Sequence, residues 1–300
     1  MPPYRILSID GGGVRGVFAA ALLERVAEID PQTLARVDLC AGTSTGGLIA
    51  LGIADRMPPE AIVALFAENG GKIFSARFLK SLRDLNGFVG AEYRHHYLKD
   101  LVEATFGERT LADLPGKVLI PAFALDSGDS NGRPRSWVPK IFHNLEGSDT
   151  AGEKIVDVAL RTSAAPMYFP SYQGHIDGGV IANNPSLVAL TSVRSHDPSR
   201  SLDDLRLLSL GTALVPSFID GDRAWGVRQW IRPLLRLMVE GNMGLVHSQC
   251  EALLGDRYHR LDPVPPVHVK MDQSKRMAEL LEFAREVKLN GTVDWLNRHF

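Results

Sequence analysis

The first 54 residues confine the chain to a small set of folds. Tyr4 to Ile9 reads as a short strand, Gly11 to Gly13 as a tight connection, and VFAAALLERVAEI, Val17 to Ile29, as a helix with apolar residues at helical spacing. Val37 to Ala41 predicts a second strand. GTSTGG ends it, and Leu48 to Ala54 continues as a buried helix of small residues. The alternation goes on. PPEAIVALFAENGGKIF places Pro58 and Pro59 at a helix entrance before Glu60. VLIPAFAL (Val118 to Leu125) and SWVPKIFH (Ser136 to His143) read as strands around the polar loop DSGDSNGRPR. KIVDVALRTSAAP is helical until Pro166, a short strand precedes DGG, NNPSLVALTSVRSH is a helix, and LRLLSLG is a buried strand. The tail from Lys270 to Phe300 holds a charged amphipathic helix packed on the outside. The expected fold class is α/β, with a central, mostly parallel sheet flanked by helices.

No repeat, low-complexity tract or long linker divides the sequence. Residues 1–300 are expected to form a single domain, with a core over about 4–215 and helical additions over about 222–300. Hydrophobic residues make up 45% of the chain and charged residues 23%, enough for a sizeable core. A net charge of −2 supplies no global field for nucleic acid. MPPYRILSIDGGG lacks the features of a signal peptide, and no apolar run reaches the length of a membrane span. A cytoplasmic location, peripheral at membranes, is the expectation. Cys40 and Cys250 have no metal or redox spacing, and Cys40 reads as a buried thiol.

Three glycine-rich corners carry the chemistry. In IDGGGVRG, residues 9–16, Gly11, Gly13 and Gly16 have the spacing of a dinucleotide loop between strand and helix. Such a loop wants a ribose-binding carboxylate near the end of the next strand. That run ends in Ala41-Gly42-Thr43-Ser44, and Asp38 comes before most of it, so nucleotide binding is disfavoured. In GTSTG, residues 42–46, Gly-x-Ser-x-Gly follows a strand and opens a helix, the setting of a nucleophile elbow, although Ser44 would also serve as a helix cap. In HIDGGVIANNP, residues 175–185, Asp177 either bonds its own turn or is the base that pairs with Ser44.

Taken in order, DGGGVRG, GTSTGG and DGG resemble the patatin-like phospholipase family over at least residues 4–184, extending to LRLLSLGTA. The resemblance implies a three-layer α/β/α fold and a Ser–Asp dyad of Ser44 and Asp177. It implies an oxyanion loop of Gly11, Gly12 and Gly13 supported by Arg15, with no catalytic histidine, metal or cofactor. The implied substrates are phospholipids, lysophospholipids or other fatty acyl esters. A non-lipid carboxylesterase, an acyltransferase and a catalytically weak lipid-binding regulator remain as alternatives.

Arg15 opposes the dipole at a helix start, a poor local choice. It would hold the glycine loop, attract an anionic substrate, or lie in solvent. A triad is the weaker reading: His175 stands two residues before Asp177, where the usual order wants a histidine after it, and neither His196 nor His247 has a compelling setting. The aromatic and aliphatic residues of KIFSARFLKSL and GFVGAEY either pack in the core, the stronger reading, or line or cover an apolar cleft. Residues 222–246 combine Arg228, Arg232 and Arg236 with Trp225, Trp230, Ile231, Leu234, Leu235 and Met238. Transient membrane contact there stands beside two other readings, a helix packed on the sheet with a solvated arginine edge and a surface for a partner protein, with Pro233 bending the segment or starting a second helix.

Overall fold

The computed structural model describes residues 1–73, 96–128, 134–213, 215–221, 224–266 and 268–300, with Ile231, Arg232 and Leu235 described by backbone only. The strands are β1 (Tyr4–Ile9), β2 (Leu39–Gly42), β3 (Val118–Ala124), β4 (Val138–His143), β5 (His175–Asp177), β6 (Leu205–Leu210) and β7 (Tyr258–Leu261). They form one sheet in the order β4-β3-β2-β1-β6-β7, with β5 on β3. The pairs β1–β2, β1–β6, β2–β3 and β6–β7 are parallel; β4 and β5 run antiparallel to β3.

Strand side chains alternate between the two faces, as a two-residue period requires. Leu7, Ile9, Cys40, Val118, Ile120, Leu208 and Leu210 enter one buried cluster, while Ile6, Leu39, Ala41, Leu119, Leu205 and Leu207 enter the other. Helices α1 (Gly16–Ile29), α2 (Thr45–Ala54), α3 (Pro59–Ile73), α4 (His96–Phe106) and α5 (Ile155–Thr162) bury their apolar sides in the first cluster. So do α9 (Met277–Glu286) and α10 (Asn290–His299). Between α5 and α9 in the chain come α6 (Gly179–Ala182), α7 (Ser186–His196) and α8 (Val227–Leu254). Helix α7 and the last turns of α8 cover the second face. Both faces are thus covered, which a mostly parallel sheet requires. Helix α1 shows the logic locally: Phe18 and Leu22 are fully buried, and Phe18 stacks on Phe283 of α9 at 5.4 Å. Burying each such side chain stabilises by about 1.5–3 kcal/mol.

Several boundaries differ from the sequence reading. β2 starts at Leu39, not Val37, because Asp38 holds the Arg5 N–H with its side chain at 2.7 Å before the ladder begins. The tail forms two helices, α9 and α10, rather than one. Strand β7, YHRL, has no sequence signal: it is short, and His259 and Arg260 break its apolar pattern. Helix α8 runs unbroken through Pro233, so no second helix starts there. At 28 residues it is about 42 Å long, enough to leave the second sheet face and reach the site described next.

Candidate active site

β2 ends at Gly42 and α2 begins at Thr45, so Ser44 sits in the corner. Its φ of 55° and ψ of −124° are costly for a residue with a side chain, and lift the hydroxyl off the helix end. The side chain makes no capping hydrogen bond, which removes the helix-cap reading. The two flanking glycines are required by close approach. A Cβ on Gly42 would overlap the Gly46 carbonyl, and one on Gly46 would overlap the carbonyls of Ile9 and Asp10. The corner is then pinned from α5. Ser44 N–H donates to Thr162 Oγ1 at 3.0 Å, and the Thr162 hydroxyl donates to the Pro121 carbonyl at 2.6 Å.

Sheet topology brings Asp177 to this corner. β4 pairs with β3 along its whole length on one edge. The other edge is shared: β2 pairs at Val118 and Leu119, and β5 takes over at Ala122, which stands opposite Asp177. Asp177 Oδ1 accepts the Gly179 N–H at 2.7 Å, and its own N–H donates to the Ala164 carbonyl at 3.0 Å. The turn bond and the Ser44-facing placement therefore coexist. Burial pushes the Asp177 carboxyl up to about 6, a rise limited by the neighbouring Ser44 hydroxyl and by the Gly179 N–H. A carboxylate with that pKa is still ionised near neutral pH, and is a better proton acceptor than an exposed one.

The glycine loop lies across the same opening, and its N–H groups are not equivalent. Gly11 N–H donates to the Asn183 carbonyl at 3.0 Å and Gly12 N–H to Thr45 Oγ1 at 3.2 Å. Among the described residues nothing accepts the Gly13 N–H. The Gly11 and Gly12 N–H groups are thus engaged in shaping the loop. The Gly11 carbonyl is held by Asn183 Nδ2 at 3.2 Å and Thr212 Oγ1 at 3.1 Å. Gly13 has a φ of +60°, and a Cβ there would overlap the Met271 carbonyl, which accepts the Val14 N–H at 2.8 Å. Behind the loop, fully buried Asp10 is clamped by Arg260 from β7 at 2.7 Å. Arg260 also reaches Asp262 at 2.6 Å and Ser209 Oγ at 2.8 Å. Burial raises the Asp10 carboxyl to about 6 in spite of that cation. Burial alone would lower Arg260, but Asp10 and Asp262 carry it above its ordinary value.

Ser44, Asp177, Gly12, Gly13 and Arg15 open on one cavity of about 260 Å³. Its apolar wall includes Leu48, Phe66, Ile73, Leu98, Phe169 and Met277. Arg15 is only 4% exposed, so it is not a solvent arginine. Residues 74–95, which hold most of KIFSARFLKSL and all of GFVGAEY, lie outside the described residues, as do the side chains of Ile231, Arg232 and Leu235. His175 does not face the cavity: its Nδ1 lies 2.7 Å from the Gln173 carbonyl and its ring packs on Phe142. His196 packs on His143, and His247 meets the Tyr258 hydroxyl. Arg236, expected on a lipid-facing edge, instead lines the cavity with Val239, Glu240 and Met243 and ion-pairs with Glu240.

Sequence reading missed Thr162, Asn183, Thr212, Met271, Arg260 and His268. Of these, Asn183 lay in HIDGGVIANNP, as the first of two buried asparagines before Pro185, and Thr212 in LRLLSLGTA. Thr162 closes an ordinary amphipathic helix, and Arg260 lies in the unrecognised strand.

A family model described as patatin-like phospholipase matches residues 7–190. The cGAMP-activated phospholipase of Pseudomonas aeruginosa is 32% identical over 290 residues, covering 93% of this chain and 83% of that protein. Patatin-like protein 1 of Arabidopsis thaliana is 30% identical over 314 residues, covering 86% and 73% respectively. Protein teg of Priestia megaterium is 28% identical over 339 residues and aligns over 100% of both chains. The motifs, the sheet and the matched span agree: this chain belongs to the patatin-like phospholipase family.

Proposed function

We propose that the chain is a lipid acyl hydrolase of the phospholipase A or lysophospholipase type. The observation that carries this reading is the strained Ser44, which shares the wall of an apolar cavity with buried Asp177. Ser44 Oγ attacks the ester carbonyl while Asp177 takes its proton. The tetrahedral oxyanion is met by the Gly13 N–H and by free N–H groups at the start of α2, whose dipole favours negative charge. Collapse expels the alcohol, which receives the proton from Asp177, and leaves an acyl group on Ser44. Water, deprotonated by Asp177, then releases the fatty acid and restores the serine.

The reading is tested by incubating wild type and Ser44→Ala with mixed phospholipid and lysophospholipid vesicles, without added calcium, and weighing the products. Free fatty acid with the matching lyso-lipid or glycerophospho head group, from wild type alone, is the expected result. Cleavage of a p-nitrophenyl ester through Ser44 without lipid turnover would favour a non-lipid esterase. Acyl transfer to an added alcohol in preference to water would favour an acyltransferase. Lipid release by Ser44→Ala at the wild-type rate would remove the nucleophile assignment.

The lipid approaches, on this reading, along the outer side of α8. Trp230, Leu234, Leu237, Met238 and Leu245 are exposed at helical spacing on the helix whose other side walls the cavity. Leu234→Glu with Leu237→Glu is expected to reduce co-sedimentation with anionic vesicles while leaving turnover of a soluble ester unchanged. Undiminished co-sedimentation would place the contact elsewhere. Among the described residues no helix is long and apolar enough to cross a membrane.

A further inference from the structure

One part of the Ser44 cavity is cationic in a way that acyl transfer alone does not use. Arg15 lies on the cavity wall, almost fully buried, with its Nε unpartnered. Among the described residues its guanidinium makes no hydrogen bond or ion pair. The carboxylates near enough to act on it are Glu240, Asp262 and Asp10. All three are engaged elsewhere, Glu240 by Arg236 and the other two by Arg260. Arg236, His268 and Lys270 line the same cavity, and the Lys270 ammonium is likewise unpartnered among the described residues. These groups act on one another. Burial and then Arg236 lower Arg15 to about 10, and burial followed by Arg236, Arg15 and Lys270 lowers His268.

A desolvated cation without a counter-charge is costly, and a guanidinium presents paired N–H donors that match two phosphate oxygens. We propose that Arg15, Arg236, His268 and Lys270 form a phosphate subsite, which holds the head-group phosphate of the lipid whose ester is presented to Ser44. The inference rests on reading the cavity as an acyl-ester site. An amphiphile with an apolar chain and an anionic phosphate satisfies both parts of the cavity, and a neutral glyceride satisfies one.

The test uses full-length Ser44→Ala protein, so that binding is read apart from turnover. It is titrated calorimetrically with 1-decanoyl-lysophosphatidylglycerol, with 1-decanoylglycerol and with sodium phosphate. The phospholipid is expected to bind at least about tenfold more tightly than the glyceride, a difference of one decade in Kd. Phosphate is expected to compete with the phospholipid. Adding Arg15→Gln or Lys270→Gln is expected to collapse the preference to about twofold or less. Lys270 is exposed, so its variant keeps the test open if Arg15→Gln fails to fold. Equal affinity for the two lipids, binding of neither, an unchanged preference in the variants, or phosphate binding that leaves the phospholipid in place would each overturn the subsite. If the preference holds but wild type hydrolyses neither lipid, the acyl hydrolase reading fails while the subsite stands.

Discussion

Replacing Asp177 by Asn should make the protein more stable while removing its activity. The carboxyl is pushed from an ordinary 3.8 to about 6, with burial as the main cause. The sign follows from proton binding. Below pH 3.8 the carboxyl is protonated in both folded and unfolded chains and contributes nothing. Between 3.8 and about 6 the unfolded chain ionises and the folded one resists, so stability is lost as pH rises. Above about 6 the loss is constant. At about 1.4 kcal/mol per pH unit, that separation corresponds to about 3 kcal/mol. Asn keeps an oxygen that can accept the Gly179 N–H but carries no charge to desolvate. Its expected gain is therefore close to zero at pH 4 and rises to at most about 3 kcal/mol at pH 8. Denaturant unfolding of both proteins at the two pH values measures it, and the buried Asp10, present in both, cancels in the difference. Ester turnover should fall to the level of Ser44→Ala. A variant that is less stable than wild type at pH 8, or equally stabilised at pH 4 and pH 8, would refute the claim that burial of the charge sets this pKa.

Three further outcomes follow from the same geometry. Gly46→Ala puts a methyl group onto the carbonyls of Ile9 and Asp10, neither of which can turn away; a loss of about 3 kcal/mol or more is expected in denaturant unfolding. Thr162→Val strips the Ser44 N–H of its acceptor and the Pro121 carbonyl of its donor. A cost of about 1–3 kcal/mol is expected, with a fall in kcat as the serine corner loosens, read from unfolding and ester kinetics together. Arg260→Met leaves Asp10 buried without its cation and is expected to cost about 3–5 kcal/mol near neutral pH; Asp10→Asn in the same chain should recover most of it in a double-mutant cycle.

The layer order and the chemical corners were legible in the amino-acid sequence because their causes are local. Apolar runs of period two and helical stripes mark β1, α1, β3 and α7 within a few residues of where they stand. Gly42 and Gly46 are dictated by a strand and a helix meeting at one serine, a constraint confined to five adjacent positions. The roles of other residues are set by parts of the chain far away in sequence. β5 reaches the serine corner only because β2 leaves the second half of β3's edge unpaired. Thr162, Thr212, Asn183 and Met271 act through hydrogen bonds to backbone 118 to 257 positions away in sequence, and no periodicity announces such a bond. Arg260 sits in a four-residue strand whose polar pattern makes sense only beside Asp10. Local pattern thus determined most of the strands and helices before β7 and which corner holds the serine. Tertiary packing decided which glycine N–H stays free, how far the Asp177 carboxyl is raised and that Arg15 is buried unpaired, because desolvation and hydrogen-bond partnership depend on what the rest of the chain places around a group.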